Sequence, residues 1–337
     1  MSTARRVIPN LTYNGVNAQE LLYGKLEKFS LTEEASGESD SAELELEDRD
    51  RKWMNEWMPQ QGDKIAGSLD FMDWNGDGRH EYLKLGTMMV DSFDMSGGST
   101  IAKIKALSVP TASSFRTEER TKTWKEVTIQ KILSEIAGKY GLTPVYEADE
   151  ITIKSLEQSK KTDSSFLLET VKKYGLALKV YNQKLVVYDK ARYEARNKVL
   201  TIKKTSIVGN EWDYHKDLEG FYTGAIVSYK GSNSSEKEIT TTVGSTSGRT
   251  LKVNEQCDSV AEAQRLGKAK LREANEKVET LSCKIWPSAY LFASCVVALD
   301  EQDWGKAAGR YFADSVKTEV GSGGTTQTLE LHKCLPT

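Results

Sequence analysis

One eleven-residue pattern is written twice near the middle of the chain, with 34 residues between corresponding positions. The first copy runs over residues 132–142 and the second over 166–176, and both close on Lys-Tyr-Gly-Leu. In each, apolar side chains recur at helical spacing. A glycine follows, Gly141 in one and Gly175 in the other, where a left-handed C-cap disfavours any Cβ. The pattern then turns β-type, at Ile151-Thr152-Ile153 and at Leu185-Val186-Val187-Tyr188. Each unit reads helix, glycine stop, strand. Two copies whose second element is a strand do not make a helical repeat array. They predict a small α/β domain with two related halves, spanning 109–198, with Asp163 as N-cap of the second helix.

Both flanks read as β. Residues 42–48 alternate apolar and acidic side chains, the period of a strand with one dry and one wet face. An acidic, turn-rich loop over 33–40 precedes them, and the turn 59–63 feeds a strand over 64–71. A hairpin tip falls at Asn75-Gly76-Asp77-Gly78, with 82–91 as the predicted return strand. Residues 101–107 alternate again, Pro110 marks a boundary, and 115–124 form a charged connector. Beyond it, strands are predicted at 199–202, 224–229, 281–286, 295–299, 311–313 and 328–331. Residues 231–249 read as a mobile hairpin or loop, and 259–279 as a surface helix with a thin apolar stripe. The fold class is α+β: small barrels or sandwiches over 1–108 and 199–337 flank the α/β domain, and helix 259–279 is inserted in the second.

Composition narrows the function classes. At 337 residues and a net charge of −3, the chain does not suit a protein that grips nucleic acid by neutralising phosphates. No stretch has the apolar length to cross a bilayer. Residues 1–10 show no apolar core of a secretory signal, which predicts a chain made in the cytosol. There Cys257, Cys283, Cys295 and Cys334, which have no CxxC spacing, are expected to be buried thiols.

Few residues offer chemistry. Asp73, Asn75, Asp77 and Glu81 place oxygens at alternating positions like the first half of a calcium loop, and Gly78 sits at its sharp turn. The position that should carry a bidentate Glu is Lys84, and the flanks are strands, so a plain hairpin turn is the competing reading. His80, His215 and His332 show no paired spacing for zinc or a catalytic triad. Residues 321–324 are glycine-rich without a lysine or a following helix, a turn rather than a phosphate cradle. Trp53, Trp57 and Met58 read either as a core-covering turn or as an exposed patch. No catalytic residue, cofactor or enzyme signature emerges.

Taken together, these features resemble the baseplate hub proteins of contractile phage tails, the late control protein D family that includes the hub part of VgrG. The resemblance rests on the acidic strand 42–48 followed by Pro59-x-x-Gly62-Asp63, and on the connector with Phe115-Arg116, Arg120 and Trp124. It rests also on Asp163-x-x-Phe166-Leu167, the two Tyr-Gly-Leu stops, the charged helix 259–279 and Gly309-x-Tyr311. The order is more specific than any one motif. It departs at Val316-Lys317-Thr318, where the family often has a histidine; here His332 comes later.

The resemblance implies two similar tail-tube-like barrels per chain, so that a homotrimer presents six. Such a trimer joins the hexameric tail tube protein to a trimeric central spike protein, with the tape measure and other baseplate proteins as further partners. It implies a virion location in a phage tail or phage-tail-like particle, no specific nucleic acid, no membrane and no enzymatic activity. An acidic chain would suit a lumen that does not hold passing DNA. Two other classes compete: a peptidoglycan-binding or hydrolysing tail protein, since small helix–strand units occur in LysM modules, and a calcium-dependent adhesin.

Overall fold

The structure, a computed structural model, describes residues 4–18, 22, 24–96, 100–109, 114–229 and 239–336. The boundary residue Pro110 and positions 231–238 of the expected loop lie outside the described residues.

Strands dominate, and most belong to one sheet of fourteen. Along its main path the order is Ile207–Lys216, Glu279–Ile285, Gly324–Lys333, Gly309–Gly321, Leu26–Glu34, Ser41–Glu47, Ile101–Leu107, Met88–Met95, Lys64–Met72, Arg6–Tyr13 and Val16–Asn17. Among the described residues the expected pair of barrels is not found as closed units. Instead, strands from both ends of the chain continue one another, because Gly309–Gly321 pairs with Leu26–Glu34.

Period-2 alternation produces these strands. In Ser41–Glu47 the side chains of Ala42, Leu44 and Leu46 are buried, while Glu43, Glu45 and Glu47 point to the other face. Two cores lie on the dry side of the sheet. One gathers Phe29, Leu44, Phe71 and Ile104 from the N-terminal strands, the other Leu281, Val297, Tyr311 and Leu329 from the C-terminal ones. The predicted return strand over 82–91 is instead two strands, His80–Lys84 and Met88–Met95, broken at Gly86 with its φ of 72°. The first pairs with Lys64–Met72; the second crosses to Ile101–Leu107.

The repeat forms helices α1 (Ile129–Lys139) and α2 (Asp163–Lys173). Thr128 and Thr162 cap them, their hydroxyls accepting from the backbone N–H of Lys131 and Ser165 at 3.2 Å. Asp163 is therefore the first helical residue rather than the cap. Gly141 and Gly175 follow the C-caps at φ of 66° and 75°. The helices cover one face of a three-stranded sheet ordered Thr143–Glu147, Lys184–Asp189, Leu176–Tyr181. Part of the expected connector is a strand: Glu119–Thr128 pairs with Thr152–Thr162 as a long ribbon.

A short helix α3 (Lys190–Glu194) leads back to the large sheet. Helix α4 (Val260–Glu276) starts at the Ser259 cap and follows the prediction closely. It does not lie on the large sheet. It covers a small sheet of Gly224–Tyr229, Ile239–Gly244 and Thr250–Val253, with a core of its own built on Ala225, Val227, Ala263 and Leu266. No helix among the described residues is long and apolar enough to cross a membrane.

Candidate assembly interface

Eight consecutive strands of the large sheet fall into two groups of four with the same topology. Numbered in chain order, the N-terminal group is Leu26–Glu34, Ser41–Glu47, Met88–Met95 and Ile101–Leu107, and its sheet order is first, second, fourth, third. The C-terminal group is Ile207–Lys216, Glu279–Ile285, Gly309–Gly321 and Gly324–Lys333, and its sheet order is again first, second, fourth, third. All neighbours within both groups are antiparallel. The small α4 sheet is inserted between the first and second strands of the C-terminal group, where the N-terminal group has a short turn.

The groups join head to tail. The third strand of the C-terminal group lies antiparallel to the first strand of the N-terminal group, with Val316 opposite Glu33, Thr318 opposite Leu31 and Val320 opposite Phe29. On the dry side of this seam Phe29, Leu31, Val316 and Thr318 are buried. Burial of each large apolar side chain stabilises the joint by about 2 kcal/mol. Gln327 holds the loop that braces the seam: its amide oxygen accepts from Ser288 N–H at 2.7 Å and its amide donates to the Thr318 hydroxyl at 3.1 Å. From that loop Ala289 packs on the N-terminal core, and the Tyr290 hydroxyl donates to Glu81. On the wet side Lys28 meets Glu319 at 2.6 Å across the seam, and Lys103 meets Glu45 at 3.3 Å. The wet face thus carries paired charges of both signs rather than an acidic surface.

A head-to-tail joint between like units leaves two complementary edges. One is Ile207–Lys216, which ends the sheet path; the other is the far part of Met88–Met95, which pairs with Lys64–Met72 only at Met88 and Met89. Side chains that are buried at the seam have half-exposed counterparts here. Trp212 is 40% exposed, and Tyr214, Phe93 and Met95 are only partly covered. Exposed Lys204, Lys216 and Lys306 surround Trp212 and Trp304 in a cleft of about 510 Å³ at the first edge. Exposed Asp91 and Asp94 lie along the second.

Comparison with solved structures identifies the fold. The 43 kDa tail protein of prophage MuSo2 from Shewanella oneidensis matches 98% of this chain and 99% of its own, with a TM-score of 0.71 at 12% identity. A tail protein from Neisseria meningitidis MC58 matches 98% and 97% with a TM-score of 0.71 at 13% identity. An E. coli type VI secretion component, described as similar to the T4 tail proteins gp27 and gp5, matches 98% and 77% with a TM-score of 0.56 at 10% identity. The chain has the fold of phage tail proteins. No family model matches it, and no curated protein does.

Within this tail-protein fold the sequence-predicted residues fall as follows. Asp73 Oδ1 accepts from Gly78 N–H at 2.6 Å, and the Asn75 amide donates to Glu81 Oε2 at 2.6 Å. Those oxygens close the hairpin turn, and Asp73, Asp77 and Glu81 do not bring three ligand atoms within 4.8 Å of one another among the described residues. His215 and His332 flank Thr280 in one cross-strand row, with His215 exposed and His332 buried, while exposed His80 lies on a strand of the N-terminal half. Trp53 is buried, Met54 and Met58 are exposed, and Trp57 is partly covered. Cys257, Cys283 and Cys295 are buried thiols, and Cys334 is partly so.

Two buried charge clusters were not legible in the sequence. Asp163, fully buried, accepts from Arg120, from the Tyr140 hydroxyl at 2.7 Å and from the Gln158 amide at 2.8 Å. Burial opposes its charge, but these donors hold its carboxyl below the usual range. The second cluster ties α3, α4 and the last two strands. His332 lies 2.5 Å from Asp314 and 3.4 Å from Glu194; Arg272 reaches Glu194 at 2.6 Å, and Lys190 reaches Glu276 at 2.8 Å. Burial opposes the His332 charge, yet Asp314 and Glu194 raise its pKa to about 9; Glu194 itself, against its own burial, is lowered to about 2 by His332 and Arg272. Glu194, Glu276 and His332 put ligand atoms within 4.8 Å of one another, but Lys190 and Arg272 already supply the positive charge a metal would bring.

Proposed function

We propose that this protein is the structural hub of a contractile tail baseplate, acting as a trimeric adapter between a hexameric tube and a trimeric spike. The observation that carries the reading is the repeated four-strand topology. Each chain holds two like units already joined head to tail, so three chains present six units in a ring. The seam supplies the template for the joints between chains: Ile207–Lys216 of one copy pairs antiparallel with Met88–Met95 of the next. That pairing covers Trp212 and Phe93 and brings Asp91 and Asp94 toward the lysines around Trp212.

In this reading residues 1–108 and 199–337 are the two hub units, each completing its barrel in the ring, and 109–198 is the α/β domain outside it. The lumen is the wet face, whose charges cancel in cross-strand pairs, so passing DNA is neither held nor repelled. The partners are the tail tube protein, the central spike protein, the tape measure and other baseplate proteins, in a virion or phage-tail-like particle. The role is architectural and non-catalytic.

Light scattering of the purified protein tests this. The expected mass is three times the 37.6 kDa chain, and Trp212→Lys is expected to return a folded monomer. A monomer or a twofold dimer across the whole concentration range contradicts the reading.

A further inference from the structure

The three-stranded sheet of the α/β domain has one face covered by α1 and α2 and the other turned toward the large sheet, where Ala177 and Tyr188 are buried and the Tyr188 hydroxyl donates to the Ala35 carbonyl. On that second face Val145, Val186 and Lys179 stand side by side, since Val186 is in register with Val145 on one side and with Lys179 on the other. Tyr181 and Lys184 form the next cross-strand pair, and Tyr188 lies opposite Glu147. The facing wall comes from the large sheet: Leu83 and Lys84, the end of Leu26–Glu34, and Phe292 on the loop that braces the seam. Between them lies a cleft of about 390 Å³.

The polar groups of this cleft divide into satisfied and unsatisfied ones. Arg196 is held by Glu147 at 3.0 Å, and Lys179 by Asp40 at 3.2 Å and by the carbonyl of Glu34 at 2.9 Å. By contrast Glu33, 6% exposed, has an Oε2 with no hydrogen-bond partner. Lys84 and Lys184 stand exposed at the rim. Phe292 is 39% exposed with its ring open to the cleft. A buried acid that lacks a partner is costly unless it is neutral or has something to bind. Here burial raises its pKa to about 8, with Lys179 opposing and Asp40 adding to the effect, so at neutral pH Glu33 is a hydrogen-bond donor.

We propose that this cleft is a docking site for an acidic, extended peptide segment of a partner protein, with one apolar side chain seated between Val186 and Phe292. Two exposed ammonium groups at the rim, above an acid kept uncharged by burial, fit carboxylates, and the valine and aromatic walls fit an aliphatic or aromatic anchor. The cleft lies between the α/β domain and the seam, and its lining shares no residue with either free edge, 207–216 or 91–95. Its occupant therefore differs from the neighbouring copy.

The test is fluorescence anisotropy with the fluorescein-labelled peptide Asp-Leu-Asp-Phe-Glu, against its amide counterpart Asn-Leu-Asn-Phe-Gln. Saturable binding of the acidic peptide, at least about tenfold tighter than the amide form, is expected. Lys184→Glu, an exposed position, is expected to weaken it by about tenfold, as is Val186→Asp. Binding is expected to weaken as pH rises through 8, where Glu33 loses its proton beside Asp40, Lys179, Tyr181 and Cys295, and Glu33→Gln is expected to remove that dependence. Equal binding of the two peptides, or binding indifferent to Lys184→Glu, overturns the proposal. Both readouts are independent of whether the chain is monomeric or trimeric, so this result and the test of the ring separate cleanly.

Discussion

At the scale of single residues, two buried charges organise the chain. Asp163 sits at the start of α2 but serves the whole α/β domain, because Arg120 comes from the ribbon and Tyr140 from the end of α1. Asp163→Asn leaves the guanidinium without its counter-charge, and is expected to lower stability to urea by about 3 kcal/mol. A loss within experimental error would mean that the cluster is decorative. His332 gives a signed pH dependence. Its pKa is raised from 6.5 to about 9 in the folded chain, so its contribution is complete below pH 6.5 and fades as pH rises to 9. Asp314, Glu194, Lys190 and Arg272 surround it, and Glu33 elsewhere in the fold, raised to about 8, adds a fall of the same sign up to that pH. The histidine's part of that fall is expected to be on the order of 2–3 kcal/mol between those pH values, and His332→Gln to remove that part while the part due to Glu33 remains. Neither cluster could be read beforehand: Asp163 looks like an ordinary cap, and the partners of His332 are distant in sequence.

At the scale of elements, the two Tyr-Gly-Leu stops look identical in sequence and are not equivalent in the fold. A Cβ on Gly141 meets open space, whereas one on Gly175 would come within 3.1 Å of the Ala269 Cβ on α4. Gly141→Ala is expected to cost about 1 kcal/mol from backbone strain alone. Gly175→Ala is expected to cost roughly twice that, with Ala269→Gly restoring part of the difference in a double-mutant cycle. Equal losses at the two sites would show that α2 and α4 do not lean on each other there. The helices themselves were legible because periodicity, caps and stops agree. Strands with one wet face, such as Ser41–Glu47, were legible for the same reason. Those that form the joints were not. Leu26–Glu34 ends its dry face in a buried acid, Glu33, which reads as loop. Ile207–Lys216 shows almost no alternation in burial, because an edge strand has no second neighbour to dry one of its faces.

At the scale of the whole molecule, the duplication that matters lies between two four-strand groups with no shared sequence motif, and the short helix–strand repeat is a separate matter. Topology preserves that relation where side chains do not, since many apolar sets fill the same dry face. This is why the similarity to the Shewanella and Neisseria tail proteins is plain in the backbone at 12% and 13% identity. The resemblance implies two barrels per chain, whereas the strand order of one chain leaves edges open instead of closing them. One joint is made within the chain, and in the proposed ring the same geometry is used again between chains. Amide hydrogen exchange of the wild-type assembly against the Trp212→Lys variant measures that directly. Slowed exchange in the assembly at 207–216 and 91–95, with the rest of the sheet unchanged, is the expected result. Equal exchange of those two strands in both proteins would contradict it.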